Sequence, residues 1–148
     1  MDAERLRAFL LPLPHVAETM QWGANLVFWV GDKAIGGKMF ALLNLDEPPH
    51  PESAAGGRPN PLLSFAAGPA RFVELLELDG LIPAPYFARA HWVAALRWDV
   101  FPTTGWQREL RAAHALTLAT LPPKVRATLA LPAAKQKVVG QSEISGVE

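Results

Sequence analysis

The sequence predicts a single α+β domain, because strand-like and helix-like segments follow one another within a chain of ordinary domain length. Residues 16–45 carry aromatic and branched side chains in short runs bounded by glycine, which is typical of an antiparallel meander. Residues 106–121 carry apolar side chains at helical spacing. The chain has 148 residues and half of them are apolar, so it can bury a sizeable core without disulfide bonds.

The first third of the chain is predicted to hold one short helix followed by strands. Residues 2–11 form the helix, which Asp2 can cap and Pro12 ends, because proline cannot continue helical hydrogen bonding. Strand segments follow at Thr19–Trp22, Leu26–Val30 and Lys38–Leu43.

The connection between the second and third of these strands has two candidate turns. Gly31-Asp32 and Gly36-Gly37 are both turn-forming pairs, and the sequence alone does not choose between them. Lys33-Ala34-Ile35, which lies between the two pairs, is a candidate for an additional piece of strand.

The rest of the chain alternates between loops, strands and helices. Residues 46–61 hold five prolines and two adjacent glycines, which predicts a surface loop. Further segments are a strand at 62–67, a helix from Pro69 to Gly80, an extended piece at 81–87 that suits a sheet edge or a loop, a strand at 91–98, a long helix at 106–121 and a short helix at 124–129. Residues 1–132 therefore form the predicted domain, and residues 133–148 are predicted to be a C-terminal tail.

A set of short motifs, taken in order, resembles the MmcQ/YjbR family over about residues 3–130. The motifs are Leu13-Pro14-His15-Val16, Gln21-Trp22-Gly23, Gly36-Gly37-Lys38-Met39-Phe40-Ala41, Ile82-Pro83-Ala84-Pro85-Tyr86, His91-Trp92-Val93 and Leu121-Pro122-Pro123-Lys124-Val125-Arg126. The resemblance implies a two-layer α+β sandwich, in which helices pack mainly on one face of an antiparallel β-sheet, as in a YjbR/CyaY-like fold. It also implies a nominal DNA-binding role and no catalytic activity.

Two features depart from the pattern of that family. Its members often carry Ser-Tyr in the long helix, where this chain has Ala113 and His114, so a role for those hydroxyl groups is absent. The Val30–Gly37 connection is also longer than the compact turn of the family. His114 falls in an apolar stripe with Leu110, and we interpret it as a structural histidine.

No arrangement of residues indicates an enzyme, a metal site or a bound cofactor. The lack of cysteine excludes thiolate catalysis and cysteine-ligated zinc, and the four histidines lack the spacing of metal ligands. Gly36-Gly37-Lys38 is not a phosphate loop, since Asp32 stands where that loop needs its first glycine and Met39 where it needs Ser or Thr. We therefore expect no catalytic residues, no metal and no cofactor.

A cytoplasmic location with no membrane partner is the expectation for this chain. The N-terminal residues have mixed charge, and the apolar run after them is interrupted by prolines, which is unlike a signal peptide. No apolar stretch of the sequence reaches the length that a membrane-spanning helix needs.

The distribution of charge favours a weak contact with double-stranded DNA. The formal net charge is zero, which argues against a strong nucleic-acid binder. Between residues 108 and 137, however, basic residues face Glu109 as the only acid. Arg108, Arg111, Lys124 and Arg126 are predicted to contact phosphates without reading the base sequence. A merely solvated helix surface is the simpler explanation of the same charges.

A homodimeric or protein-interaction module with no nucleic-acid role is the alternative. Leu26–Val30 is apolar on both faces, so a sheet with helices on one side has a second face that must be covered. A copy of the same chain, the loop at 46–61 or the C-terminal tail can provide that cover. Three of the five tryptophans, Trp22, Trp29 and Trp92, are predicted to lie in strands.

Overall fold

A computed structural model gives the fold of the chain and describes residues 1–46 and 60–131. Most of the predicted Pro/Gly-rich loop at 46–61 lies outside the described residues. The predicted tail at 133–148 lies outside them entirely, as does the predicted domain boundary at residue 132.

The described chain forms an α+β fold of two layers, as predicted. The strands are β1 Val16–Gln21, β2 Asn25–Val30, β3 Lys38–Asn44, β4 Leu63–Ala66, β5 Leu81–Pro83 and β6 Trp92–Ala95. The helices are α1 Ala3–Leu10, α2 Pro69–Leu75, α3 Thr103–Thr120 and α4 Pro123–Leu129. The strands pair antiparallel in the order β1-β2-β3-β4-β6-β5, and the helices pack mainly on one face of this sheet. In the described part of the chain, no helix combines the length and the apolar character needed to cross a bilayer.

Strand pairing fixes which connections share an end of the sheet. Val30, the last residue of β2, pairs with Val16 at the start of β1 and with Lys38 at the start of β3. Pro83, the last residue of β5, pairs with Val93 near the start of β6. Because every pair is antiparallel, the start of β1, the β2–β3 connection and the β5–β6 connection lie at one end. The β1–β2 turn lies at the opposite end.

Helix α1 begins where the sequence predicts. The carboxylate of Asp2 accepts a hydrogen bond from the backbone N–H of Arg5 at 2.8 Å, an N-cap that contributes about 1 kcal/mol to the stability of a helix. Leu6 and Leu10, one turn apart on the same face, are fully buried in the core. The cap and this apolar face together dock α1 against the sheet.

Helix α3 carries the largest buried side chain of the core. The ring of Trp106 is fully buried and packs edge-on against Phe65 of β4 and Phe101, with centroid distances of 6.1 and 5.0 Å. Its indole N–H donates a hydrogen bond to the carbonyl oxygen of Trp98 at 2.8 Å, so the polar atom is satisfied. The helix begins at Thr103, a few residues before the predicted start at 106.

A buried ion pair ties α2 to α3. Glu109 is 4% exposed and accepts a hydrogen bond from Nε of Arg71 at 3.0 Å and a second from Nη2. The hydrogen bonds to Glu109 raise the pKa of Arg71 above its ordinary value, because they stabilise the charged guanidinium. Helix α2 ends at Leu75, well before Gly80, which was predicted to close it and instead lies in the turn before β5 with φ of +92°.

The β2–β3 connection uses both candidate turns, and the extra strand predicted between them is wrong. Lys33–Ile35 forms a 3₁₀ turn, because the carboxylate of Asp32 caps it by accepting a hydrogen bond from the backbone N–H of Ala34 at 2.8 Å. Gly36 closes the turn in the left-handed region, with φ of +91°. At Gly37 a Cβ atom would overlap the carbonyl oxygen of Gly31, so the two sides of the connection can approach only through glycine.

The strand predicted over 91–98 is shorter in the structure. His91 has φ of +61°, a left-handed conformation that cannot continue a strand, so β6 begins at the next residue. Trp98 lies in a 3₁₀ turn that leads toward α3. The piece predicted at 81–87 to suit a sheet edge or a loop contains both, since Leu81–Pro83 forms the edge strand β5 and a turn follows it.

Strand β2 is buried on both faces, as its apolar pattern predicts. Val27 is fully buried and Trp29 is 8% exposed, and the indole N–H of Trp29 donates a hydrogen bond to Oγ1 of Thr19 at 2.8 Å. Trp92 is also buried in its strand. The prediction for Trp22 is wrong: it lies in the β1–β2 turn with φ of +48° and is 61% exposed.

Candidate nucleic-acid interface

The four cations predicted to contact phosphates all lie in solvent, on two consecutive helices. Arg108 and Arg111 are exposed on α3, and Lys124 and Arg126 are exposed on α4. Glu109, the acid of this part of the sequence, is instead buried against α2. Arg108 still lies 3.5 Å from this carboxylate, whereas Arg111, Lys124 and Arg126 have no described carboxylate within ion-pair distance.

The structure divides these cations into two pairs. An α-helix rises about 1.5 Å per residue, so Arg108 lies about 18 Å along the axis from Thr120, where α3 ends. The guanidinium of Arg111 lies 5.0 Å from the centroid of an aromatic ring of α1. Lys124 and Arg126 lie beyond the end of α3, at the end of the sheet that holds the β2–β3 connection. The four residues form two separate charged regions rather than one compact patch.

Two lysines that the sequence analysis did not single out join the α4 pair. Nζ of Lys38 donates to the carbonyl oxygen of Thr120 at 3.4 Å, at the C-terminus of α3, where the helix dipole favours a cation. Lys33 lies on the 3₁₀ turn beside Gly36. This turn lies close to α4, since a Cβ on Gly36 would be only 3.0 Å from Val125. No local sequence pattern indicates that Lys38 lies beside the end of α3, because Lys38 and Thr120 are 82 positions apart in the chain.

Arg89, on the β5–β6 connection, adds a fifth cation at this end of the sheet. We refer to the five cations as the basic end: Lys33, Lys38, Arg89, Lys124 and Arg126. All five are exposed, and across residues 1–46 and 60–131 none of them lies within ion-pair distance of a carboxylate. Asp32 shares this end of the sheet, where its carboxylate is occupied in capping the 3₁₀ turn.

Acidic residues collect at the opposite end of the sheet. Asp46 follows β3, Asp79 precedes β5 and Asp99 follows β6. Arg97 joins the last two, with distances of 3.0 Å to Asp79 and 2.6 Å to Asp99. Among the described residues, charge is thus polarised along the strands, and the cations of the basic end can meet an anion without first leaving a carboxylate.

His114 is packed into the core of the protein. His114 is 6% exposed, its Nε2 lies 2.7 Å from the carbonyl oxygen of Pro14, and its ring packs edge-on against Phe40. This buried position confirms the interpretation of His114 as a structural histidine. Within the described ranges, no group of three or more His, Asp and Glu side chains is placed to hold a metal ion.

Comparison with known proteins places the chain beside one family. The model of the YjbR family matches residues 11–116, which is more than half of the chain. No curated protein matches the sequence. Among solved structures, the chain is similar to the Deinococcus radiodurans protein DR2400, which carries a DUF419 domain. The identity is 27%, the TM-score is 0.68, and the match covers 87% of this chain and 88% of that one.

Proposed function

The chain belongs to the YjbR family, and from that premise we propose that it is a cytoplasmic, non-enzymatic binding module whose ligand is double-stranded DNA. The observation that carries the proposal is the concentration of unpaired cations at the basic end. Arg7, Arg71 and Arg97, by contrast, are each paired with a carboxylate. Cations that the fold leaves unpaired can neutralise phosphate without first breaking an internal ion pair.

The contact with DNA is electrostatic and tolerant of base sequence. Each neutralised phosphate contributes about 0.9 to the slope of log affinity against log salt, so five contacts give a slope of about −4.5. Phosphate contacts position a protein on the duplex but carry no sequence information. Because the net charge is zero, we expect an affinity that is micromolar or weaker at physiological salt.

Titration of a labelled duplex at several salt concentrations tests the proposal and locates the interface. The double substitution Lys124→Gln/Arg126→Gln removes two cations of the basic end and should reduce the salt slope by about 1.8. Arg108→Gln/Arg111→Gln makes the same charge change on the side of α3 and should have a smaller effect. Arg97→Gln, at the acidic end, is the control that should leave binding unchanged.

Two outcomes would contradict this proposal in different ways. If the unchanged protein binds no duplex even at low ionic strength, DNA is not its ligand. If the α3 substitutions weaken binding more than the α4 substitutions do, the protein binds DNA through the strip on α3 and not through the basic end.

Strand β1 supports a second candidate function, that of a homodimeric module. It is an edge strand of six residues, free of proline and lysine, and it keeps a regular register with β2. The N–H of Gly31 donates to the carbonyl of His15 at 2.7 Å. Along an antiparallel pair, residues alternate between those that hydrogen-bond to the partner strand and those that do not. The N–H and C=O groups of Glu18 and Met20 therefore point away from β2, toward the side of β1 on which no described strand pairs. The edge strand β5, in contrast, has three residues and ends in proline.

Antiparallel pairing of β1 with β1 of a second copy would join two sheets and cover exposed apolar groups. Met20 is 57% exposed on this edge, and Trp22 is 61% exposed just after it. Light scattering after size-exclusion chromatography should then give a dimer mass that Met20→Lys reduces to a monomer, because edge lysines oppose strand pairing. Leu96→Lys, which also replaces an exposed apolar side chain with lysine, is the control and should leave the mass unchanged. A monomer at high micromolar concentration excludes this candidate.

A further inference from the structure

We infer that Tyr86 and Arg89 form a stacking site for an unpaired nucleobase, so that the protein also takes single-stranded nucleic acid. The inference rests on the proposed function and extends it from the phosphates of a duplex to the face of an exposed base. It depends on the conformation of the β5–β6 connection, on the exposure of Tyr86 and on the position of the connection at the basic end.

Tyr86 occupies a backbone position that ordinarily belongs to glycine or asparagine. The N–H of Phe87 donates to the carbonyl oxygen of Ala84 at 3.1 Å, which closes a four-residue turn. Pro85 is its second residue, and Tyr86 is its third with φ of +70°, the pattern of a type II turn. The third position of that turn favours Gly or Asn, and a bulky residue there is a conformational outlier.

The fold gains no packing from the side chain held in this strained position. Tyr86 is 88% exposed, the highest value among the exposed large hydrophobic residues of the described chain. Strained backbone that persists without a packing reason is concentrated at ligand sites. The sole tyrosine of the sequence is thus placed where it costs stability and presents its ring to solvent.

The residues around Tyr86 hold the turn in place, so that the ring is presented on a fixed support. The ring of Phe87 packs on Trp92 of β6 at a centroid distance of 5.1 Å. Trp92 also donates its N–H to the carbonyl of Phe87 at 3.3 Å, and it accepts a hydrogen bond from the N–H of Ala84 at 3.0 Å. Because both flanks of Tyr86 are anchored to a buried strand, little conformational entropy is lost when a ligand stacks on the ring.

The chemistry of the loop matches a base with its phosphate. An aromatic face accepts any base by stacking, and a nearby cation holds the backbone of the strand. Arg89 follows three residues after Tyr86 and is exposed, and none of the described carboxylates pairs with it. The sequence from Gly80 to Trp98 contains no Asp or Glu, so the segment itself carries no negative side chain that would repel a phosphate.

The stacking site and the other cations of the basic end can contact one ligand. The β5–β6 and β2–β3 connections lie at the same end of the sheet. Three strand spacings separate β3 from β5, a distance of about 14 Å. A distance of this size lies within the reach of a short stretch of single strand, so one ligand can contact both Lys38 and the region of Tyr86.

Substitutions at Tyr86 separate binding from folding, because the preferred residues of the turn lack the ring. Tyr86→Asn and Tyr86→Gly should raise Tm by a few degrees by relieving the left-handed strain. The same variants should weaken binding of an oligodeoxythymidylate of about 12 nucleotides by about 5- to 150-fold, the range for loss of one stacked base. Tyr86→Phe keeps the ring and should bind within about twofold of the unchanged protein.

Arg89→Gln provides a second measurement that does not alter the turn. It should lower the salt slope for the single strand by about 0.7, the value for one phosphate contact. Unchanged single-strand affinity in Tyr86→Asn and Tyr86→Gly overturns the stacking site, as does a failure of the unchanged protein to bind the oligonucleotide at low salt. If duplex binding still depends on Lys124 and Arg126 in that case, the proposed function survives without the stacking site.

Discussion

Replacing Arg71 with methionine tests whether the ion pair with Glu109 holds α2 against α3. The substitution leaves a carboxylate that is 4% exposed without its main partner. Breaking a fully buried pair costs about 3–5 kcal/mol. The side chain of Arg71 is 38% exposed, however, and Arg108 remains 3.5 Å from the same carboxylate, so solvent and this second cation reduce the loss. We expect a loss of about 2 kcal/mol, which corresponds to a decrease in Tm of about 4–8 °C.

Urea unfolding followed by tryptophan fluorescence gives the free energies for a double-mutant cycle. Arg71→Met and Glu109→Leu should each destabilise the protein, whereas the double substitution should be close to neutral, because apolar side chains can replace a buried ion pair. Arg97→Met is the matched control, since its partners Asp79 and Asp99 are 93% and 79% exposed, and its effect should be far smaller.

The loss of stability in Arg71→Met, compared with that in Arg97→Met, shows whether the ion pair with Glu109 holds α2 against α3. If Arg71→Met is no more destabilising than the control, the ion pair does not hold the two helices together. Their packing must then depend on apolar contacts alone, such as those of Leu75 in the core.

Two further stability predictions follow from single contacts and are checked by urea unfolding. His114→Leu should cost about 1 kcal/mol rather than being neutral, because it removes the hydrogen bond to the carbonyl of Pro14; an unchanged midpoint would show that this bond contributes nothing. Gly37→Ala should cost about 3 kcal/mol or more, since its Cβ would overlap the carbonyl of Gly31. Gly23→Ala, where the space is open but φ is +82°, should cost about 1–2 kcal/mol, and equal losses at the two glycines would contradict the steric argument.

Features set by neighbouring residues could be predicted from the sequence. The cap at Asp2, the strand at Leu26–Val30 and the break at Pro122-Pro123 all agree with the structure, because each depends on backbone chemistry within a few positions. The placement of helices mainly on one face came from the family resemblance, and the strand order emerged only from the structure. Neither arrangement can be deduced from the periodicity of one segment.

Features with an ambiguous local pattern, and features that depend on distant contacts, could not be predicted. The segment Lys33–Ile35 ends in the branched apolar residue Ile35, which would also suit a short strand, so its local pattern is ambiguous. The role of Lys38 beside α3 depends on a residue 82 positions away. Glu109 was interpreted as the acid that opposes the cations of α3; it does lie 3.5 Å from Arg108, but its hydrogen bonds go to Arg71 of α2, 38 positions earlier in the chain.

Strain and unpaired charge occur together at one end of this protein. Of the four non-glycine residues with positive φ in the described chain, His15, Tyr86 and His91 lie at the basic end and Trp22 lies at the opposite end. In the core the polar groups are satisfied, since no buried side-chain nitrogen or oxygen among the described residues lacks a hydrogen-bond partner. His91 offsets its strain through a ring contact with Phe72 at 5.5 Å, whereas Tyr86 is nearly fully exposed. A fold that satisfies its core but holds three of these four strained residues beside unpaired cations has the pattern expected where stability is given up for binding.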